Sequence, residues 1–129
     1  MSELLNKELQ DHLVQTARNE ADKFAALWHL FEEATWQVNQ AHGFEEPDQN
    51  FGEKISLVHS ELSEALEAVR DGDPESQKIP GFTHAEEEIA DAIIRLMNMA
   101  RNRKWDIPEA IMAKTIYNSK RPFKHNRAF

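Results

Sequence analysis

Two six-residue segments of the chain share one pattern of acidic and apolar residues. They are Glu61-Leu-Ser-Glu64-Ala-Leu66 and Glu88-Ile-Ala-Asp91-Ala-Ile93. Each segment places two carboxylates three residues apart, which on a helix puts both on one side. The repeat constrains the fold because it requires two helices whose acidic flanks stand in the same relation to their apolar faces. Four carboxylates arranged as two matched pairs suit hard divalent cations.

The rest of the chain also predicts helices. Its 129 residues include only four Gly and five Pro, and apolar residues recur at helical spacing. We expect helices over about 3–22, 24–41, 51–70 and 83–103, and a last one from about 106 that ends before Pro122. Thr83 with Glu86 predicts a capping box. The predicted fold is all-α, a four-to-five-helix bundle in a single domain spanning residues 1–129.

Several classes of protein are excluded by what the sequence lacks. Cysteine is absent, so disulfides and thiolate metal sites are not expected. No apolar run is long enough to span a bilayer, and the N-terminus does not resemble a signal peptide. These features predict a cytoplasmic protein with no membrane partner.

Charge is distributed unevenly along the chain. Residues 1–113 hold all 23 acidic residues and 10 basic ones, a balance of −13, whereas residues 114–129 hold five basic residues and no acid. The acidic body argues against binding of a nucleic-acid polymer. The basic C-terminal segment is either a solvated chain end or a contact for a small phosphorylated ligand held by metal.

Helical phase places both acid pairs at the same angle to the predicted core. Glu61 and Glu88 lie about 100° from the centre of the apolar face, and Glu64 and Asp91 about 160° from it. That face comprises Ile55, Val58, Leu62, Ala65, Leu66 and Val69 on one helix and Phe82, Ala85, Ile89, Ala92, Ile93, Leu96 and Ala100 on the other. Antiparallel packing could bring the acidic flanks together around a cation. The alternative is that both pairs lie on solvated helix faces.

Motifs beyond the acids make the chain similar to a known family. The matching segments are Gly43-Phe44, the run from Gly52 to Arg70, Ile79-Pro-Gly-Phe-Thr83, Glu87-Glu-Ile-Ala-Asp91 with Ile94-Arg95, and Tyr117-Asn118-Ser-Lys120-Arg121-Pro122-Phe-Lys124-His125. Over about residues 25–125 the chain resembles the MazG-like branch of the all-α nucleoside triphosphate pyrophosphatases. Residues 1–23 lie outside the resemblance and are expected to form an added helix. Asn98 departs from the family pattern, in which an Asp is common.

The resemblance implies hydrolysis of a nucleoside triphosphate between the α and β phosphorus atoms. It implies that Mg²⁺, with Mn²⁺ as a substitute, is held by the four acids Glu61, Glu64, Glu88 and Asp91. It also implies that Asn118, Lys120, Arg121 and Lys124 contact the phosphates or the sugar. Such ions neutralise phosphate charge and lower the pKa of the attacking water.

Base recognition, assembly and physiological role are less sharply predicted. Trp36 or Phe44 is a candidate for stacking on the base, and Asn39 for bonding its edge, although aromatic residues at helical spacing are more often core. The resemblance implies a homodimer or a dimer of dimers with a role in clearing the nucleotide pool. Two alternatives stay open: a non-catalytic helical module that binds a partner or a structural cation, and an enzyme of the same fold acting on phosphoribosyl nucleotides.

Overall fold

The computed structural model describes residues 2–43 and 50–121. These residues form five helices: α1 (Glu3–Asn19), α2 (Ala21–Ala41), α3 (Phe51–Arg70), α4 (His84–Arg103) and α5 (Ile107–Ser119). Within those two ranges there is no β-strand, only one isolated bridge between Glu75 and Thr83. The predicted all-α class is therefore confirmed. None of the described helices is both long and apolar enough to cross a membrane.

Local capping signals fix the helix ends close to their predicted positions. Asn50 caps α3 by accepting a hydrogen bond from the Glu53 amide at 3.0 Å. Thr83 and Glu86 form the predicted capping box, each side chain accepting a hydrogen bond from the other's backbone amide. Pro108 lies in the first turn of α5, where its missing N–H costs nothing.

The chain divides into two compact units, Met1–Leu30 with Asp106–Phe129, and Phe31–Trp105. In the first unit α1 packs along α5, since the Lys7 and Gln10 side chains donate hydrogen bonds to the Ser119 carbonyl at 3.5 and 3.2 Å. The second unit contains the C-terminal part of α2 together with α3 and α4. Both acid pairs belong to the second unit.

Helices α3 and α4 pack as an antiparallel pair. At one end the Arg103 guanidinium stacks over the Phe51 ring at 4.4 Å from its centre. At the other end the Asp73 carboxylate accepts a hydrogen bond from the Ala85 amide at 3.0 Å. Between these ends lies a buried cluster of Val58, Ala92 and Met99, with Ile55 packed against it.

The predicted core face is confirmed only in part for the single chain, since Val58, Ala65, Ala92 and Ala100 are buried. Six of its large aliphatic side chains are between 42% and 59% exposed, namely Leu62, Leu66, Val69, Ile89, Ile93 and Leu96. Small residues are buried, among them Ala65 and Ala92 of the predicted face and Ala68 on the acidic flank. These allow α3 and α4 to approach closely through the flank that carries the acids, so the larger aliphatic side chains lie outside the contact. We call the exposed set the aliphatic face.

A well-connected segment joins α3 to α4. The buried Ser76 side chain donates a hydrogen bond to the Glu87 carboxylate at 2.5 Å and accepts one from the Ile79 amide at 3.0 Å. The Glu75 carboxylate accepts a hydrogen bond from the amide of Gly81, whose φ of +97° favours glycine. These bonds fix the position of the backbone on either side of Lys78.

Candidate functional site

All four predicted acids line one cavity of about 560 Å³ in the second unit. Glu61 and Glu64 enter it from α3, and Glu88 and Asp91 enter it from α4. Its other lining residues are Asn39, Lys54, Leu57, Lys78, Ile94 and Arg95. The structure thus brings together the two halves of the sequence repeat, as expected for antiparallel helices whose acidic flanks face one another.

The donor set fits a hard divalent cation. One carboxylate oxygen from each of Glu61, Glu88 and Asp91 lies within 4.8 Å of the others. Two oxygens bound to a single Mg²⁺ stand about 3 to 4 Å apart, so small side-chain adjustments would complete this arrangement. Glu64 hydrogen-bonds with Glu61 and Glu88 and supplies further oxygen atoms in the same cavity.

Glu88 is the most deeply buried of the four acids, with 5% of its surface exposed. Burial, followed by hydrogen bonding and charge repulsion from Glu61 and Glu64, raises the pKa of Glu88 to about 8. Glu88 therefore carries a proton at neutral pH, which it can donate to a neighbouring carboxylate. In the metal-free site this proton reduces the repulsion among the acids.

The other shifted acids show how the remaining charge is balanced. Burial by itself would raise the pKa of Glu61, but hydrogen bonds from Glu88 and Arg95 outweigh burial and lower that pKa. Burial, together with the negative charges of Glu61 and Glu87, raises the pKa of Asp91. The raised pKa values of Glu88 and Asp91 show that these closely packed acids repel one another when ionised, and an added cation would relieve that repulsion.

Three basic side chains line the same cavity, and the sequence argument did not assign them to the site. Arg95 Nε donates a hydrogen bond to Glu61 Oε1 at 3.0 Å, and Lys78 Nζ lies 3.9 Å from Glu87 Oε2. Lys54 lies two helical turns before Glu61, so counting phase could have placed it on the acidic flank. No periodic signal could have located Lys78, because it lies between helices.

His84 is a further polar group at the edge of the acids. Its Nε2 lies 3.0 Å from Glu88 Oε1, and His84, Glu87 and Glu88 present ligand atoms within 4.8 Å of one another. The signal that could have identified His84 is its position one helical turn before Glu88. Glu87 is buried and is bonded by Ser76, so it also holds the interhelical segment in place.

Trp36 does not line this cavity. Its ring is buried, and the Arg101 guanidinium stacks over it at 4.4 Å from its centre. Base stacking on that face would require Arg101 to move. Asn39, one turn later on α2, does line the cavity, whereas Phe44 lies outside the described residues.

The predicted phosphate contacts of the C-terminal segment belong to the other unit. Asn118 lies in the last turn of α5, followed by Lys120 and Arg121. The Arg121 guanidinium stacks on the Tyr117 ring at 4.9 Å from its centre. Lys124 lies outside the described residues. The assignment of these four residues to the phosphates stays a prediction.

Comparison of the chain with protein-family models, with curated proteins and with solved structures gave no match. The resemblance to the MazG-like pyrophosphatases therefore stays a prediction that rests on the motifs of the sequence.

Proposed function

We propose that the protein is a Mg²⁺-dependent nucleoside triphosphate pyrophosphohydrolase that releases a monophosphate and pyrophosphate. The observation that carries this proposal is the cavity itself, in which both acid pairs meet with Lys54, Lys78 and Arg95. Oxygen ligands for a divalent cation and basic groups for phosphate oxygens are the two elements that phosphate-transfer chemistry needs. The size of the cavity, about 560 Å³, suits a small molecule.

The chain's own residues divide the work in this proposal. Glu61, Glu64, Glu88 and Asp91 hold the cation, which when bound neutralises the phosphates and activates the attacking water. Lys54 and Lys78 contact phosphate oxygens from two different walls of the cavity. Asn39 offers donors and an acceptor to the base or sugar. The Asn118, Lys120, Arg121 and Lys124 contacts remain part of the proposal through the family resemblance.

We further propose that the protein assembles as a homodimer or a dimer of dimers through the aliphatic face. Six large aliphatic side chains on two adjacent helices are exposed there. Contiguous apolar patches of this kind often mark protein contacts, and a stable contact buries about 800 Å² per partner. Pairing of two copies would give these side chains the burial that their helical periodicity predicts.

The test is turnover of a panel of canonical and modified nucleoside triphosphates with Mg²⁺, extended to phosphoribosyl nucleotides. The released pyrophosphate and orthophosphate are quantified separately. We expect pyrophosphate from at least one nucleoside triphosphate. Orthophosphate as the sole product would contradict the proposed bond, turnover of phosphoribosyl nucleotides alone would shift the substrate class, and no turnover would favour a non-catalytic module.

A matched pair of variants connects turnover to the acids. Glu64→Gln removes a carboxylate that lines the cavity, whereas Glu67→Gln removes one from an exposed side chain on the same helix. We expect the first variant to lose at least about a hundredfold in kcat/KM, since it removes a metal ligand, and the second to stay near wild type. Circular dichroism checks that both variants keep their helicity. Equal activity of the two variants would contradict the assignment.

A further inference from the structure

We propose that Arg95 is an exchangeable counter-cation: it neutralises Glu61 in the metal-free protein and moves to a substrate phosphate when Glu61 becomes a metal ligand. The inference rests on the proposed function and adds a role that the acid motif does not contain. In this role Arg95 opposes binding of metal alone and favours binding of metal together with nucleotide.

Arg95 is in direct contact with Glu61. Arg95 Nε and Glu61 Oε1 are 3.0 Å apart, and the Arg95 and Glu61 side chains are 36% and 13% exposed. The ion pair joins α4 to α3 within the cavity. A charge-assisted hydrogen bond to a mostly buried carboxylate is stronger than a surface ion pair, so the metal-free site gains from keeping it.

A bound metal would compete with Arg95 for the Glu61 carboxylate. Glu61 is one of the three acids whose oxygens lie within 4.8 Å of one another. A divalent cation bound by these three acids would lie close to the Arg95 guanidinium. The two positive charges would repel each other. Glu61 therefore cannot serve both partners equally well. Binding of metal requires the Arg95 contact to weaken or break.

The Arg95 side chain lies where it can reach a substrate phosphate. Its side chain is about one-third exposed, and it lines the cavity that would hold the substrate phosphates. The guanidinium fork binds two phosphate oxygens at once, a geometry that lysine cannot reproduce. A triphosphate in the cavity would offer Arg95 a new anionic partner as the old one is taken. Metal and nucleotide therefore favour each other's binding through this residue.

The experiment measures two affinities in wild type and in Arg95→Gln. Titration calorimetry with Mn²⁺ alone should show tighter binding to Arg95→Gln, by about threefold to tenfold, since the competing ion pair is gone. Binding of a non-hydrolysable nucleoside triphosphate at saturating Mn²⁺ should weaken in the same variant, by about tenfold. Opposite signs for the two ligands are the expected signature, because a merely structural role would weaken both.

Arg101→Gln is the matched control. Arg101 lies on the same helix and also makes an ion pair, with Glu33 at 2.9 Å, but it does not line the cavity. We expect this control to leave both affinities near wild type. Arg95→Lys should keep part of the competition with Mn²⁺ while losing the two-oxygen phosphate contact.

A readout on the wild-type protein keeps the test independent of how the variants fold. The side-chain Nε–H resonance of Arg95, assigned by nuclear magnetic resonance, should shift when diamagnetic Mg²⁺ is added without nucleotide. An unshifted resonance at Mg²⁺ saturation would overturn the inference, as would unchanged or weaker Mn²⁺ binding by Arg95→Gln. If wild type neither binds Mn²⁺ nor hydrolyses any nucleotide, the proposed function fails and the inference fails with it.

Discussion

At the scale of single residues, Glu88 combines deep burial with close contact to other carboxyls. Its neighbours include Glu61 and Glu64 on the facing helix and His84 one turn earlier on its own. The proton that Glu88 holds at neutral pH reduces the repulsion that a cation would otherwise have to remove. Binding of the proposed cation would therefore be coupled to deprotonation of Glu88.

The raised pKa of Glu88 predicts that the stability of the metal-free protein falls as pH rises. The pKa of Glu88 is about 8 in the folded chain, above the value of about 4.3 for an unfolded Glu. Between these two pKa values the folded state binds more protons than the unfolded state. The contribution of Glu88 to the free energy of unfolding is therefore fully present below about pH 4 and is lost progressively as the pH rises through about 8. We expect thermal unfolding with a chelator to show lower stability at pH 9 than at pH 6, and Mg²⁺ to reduce the difference.

Glu88→Gln supplies the control for that pH series. The amide cannot titrate, so the fall in stability between pH 6 and pH 9 should flatten, and the response to Mg²⁺ should weaken because a proposed ligand is lost. A slope in Glu88→Gln equal to that of wild type would assign the pH dependence to other groups.

The residues of the site differ in how far the sequence could predict them. Glu61, Glu64, Glu88 and Asp91 were predictable because a repeated spacing on two helices carries information about side-chain direction. Lys78 was not, because its position depends on hydrogen bonds made by Ser76 and its neighbours between helices. Trp36 was a candidate for base stacking only because it is aromatic. Helical phase could not predict that the Arg101 guanidinium would cover its ring.

At the scale of helices, the sequence predicted the bounds of α3 and α4 closely, but it predicted only part of the face through which they meet. Asn50, Thr83 and Glu86 fix helix ends by local hydrogen bonds, and local bonds are readable from sequence. Periodicity gives weight to large aliphatic residues, whereas several of the residues buried in this contact are alanines. The predicted meeting of the acidic flanks was confirmed even so, because it depends on phase and not on the size of the buried residues.

The contact between α3 and α4 predicts a size-dependent cost for substitution of Ala92. Ala92 is buried in the cluster with Val58 and Met99, so Ala92→Leu forces extra volume between two closely packed helices. We expect a loss of about 1–3 kcal/mol in the free energy of unfolding, measured by urea denaturation. Ala90→Leu, at an exposed position of the same helix, should change it by less than about 0.5 kcal/mol. Similar losses in both variants would contradict this packing.

At the scale of the whole molecule, the charges of the chain are divided between parts that differ in structure. The acids of the site belong to the unit Phe31–Trp105, whereas the basic residues at the end of α5 belong to the other unit. Sequence composition revealed this asymmetry but could not predict whether the two parts act on one ligand. That question depends on tertiary arrangement and on assembly, neither of which a pattern along one chain specifies.

Assembly is where the aliphatic face makes its own prediction. Leu66 on α3 is 52% exposed and Leu9 on α1 is 50% exposed, so Leu66→Asp and Leu9→Asp remove similar apolar area at helical positions. We expect Leu66→Asp to dissociate the proposed dimer, because burial of an unpaired carboxylate at an interface is costly, and Leu9→Asp to leave it intact. Analytical ultracentrifugation over a range of concentrations measures the mass of each variant. Dissociation by Leu9→Asp alone would place the contact on α1, and a monomeric wild type would contradict assembly altogether.

Since the acids line a cavity built from α3 and α4 of one chain, Mn²⁺ binding by the dissociated Leu66→Asp variant would also show whether a single copy suffices to hold the cation.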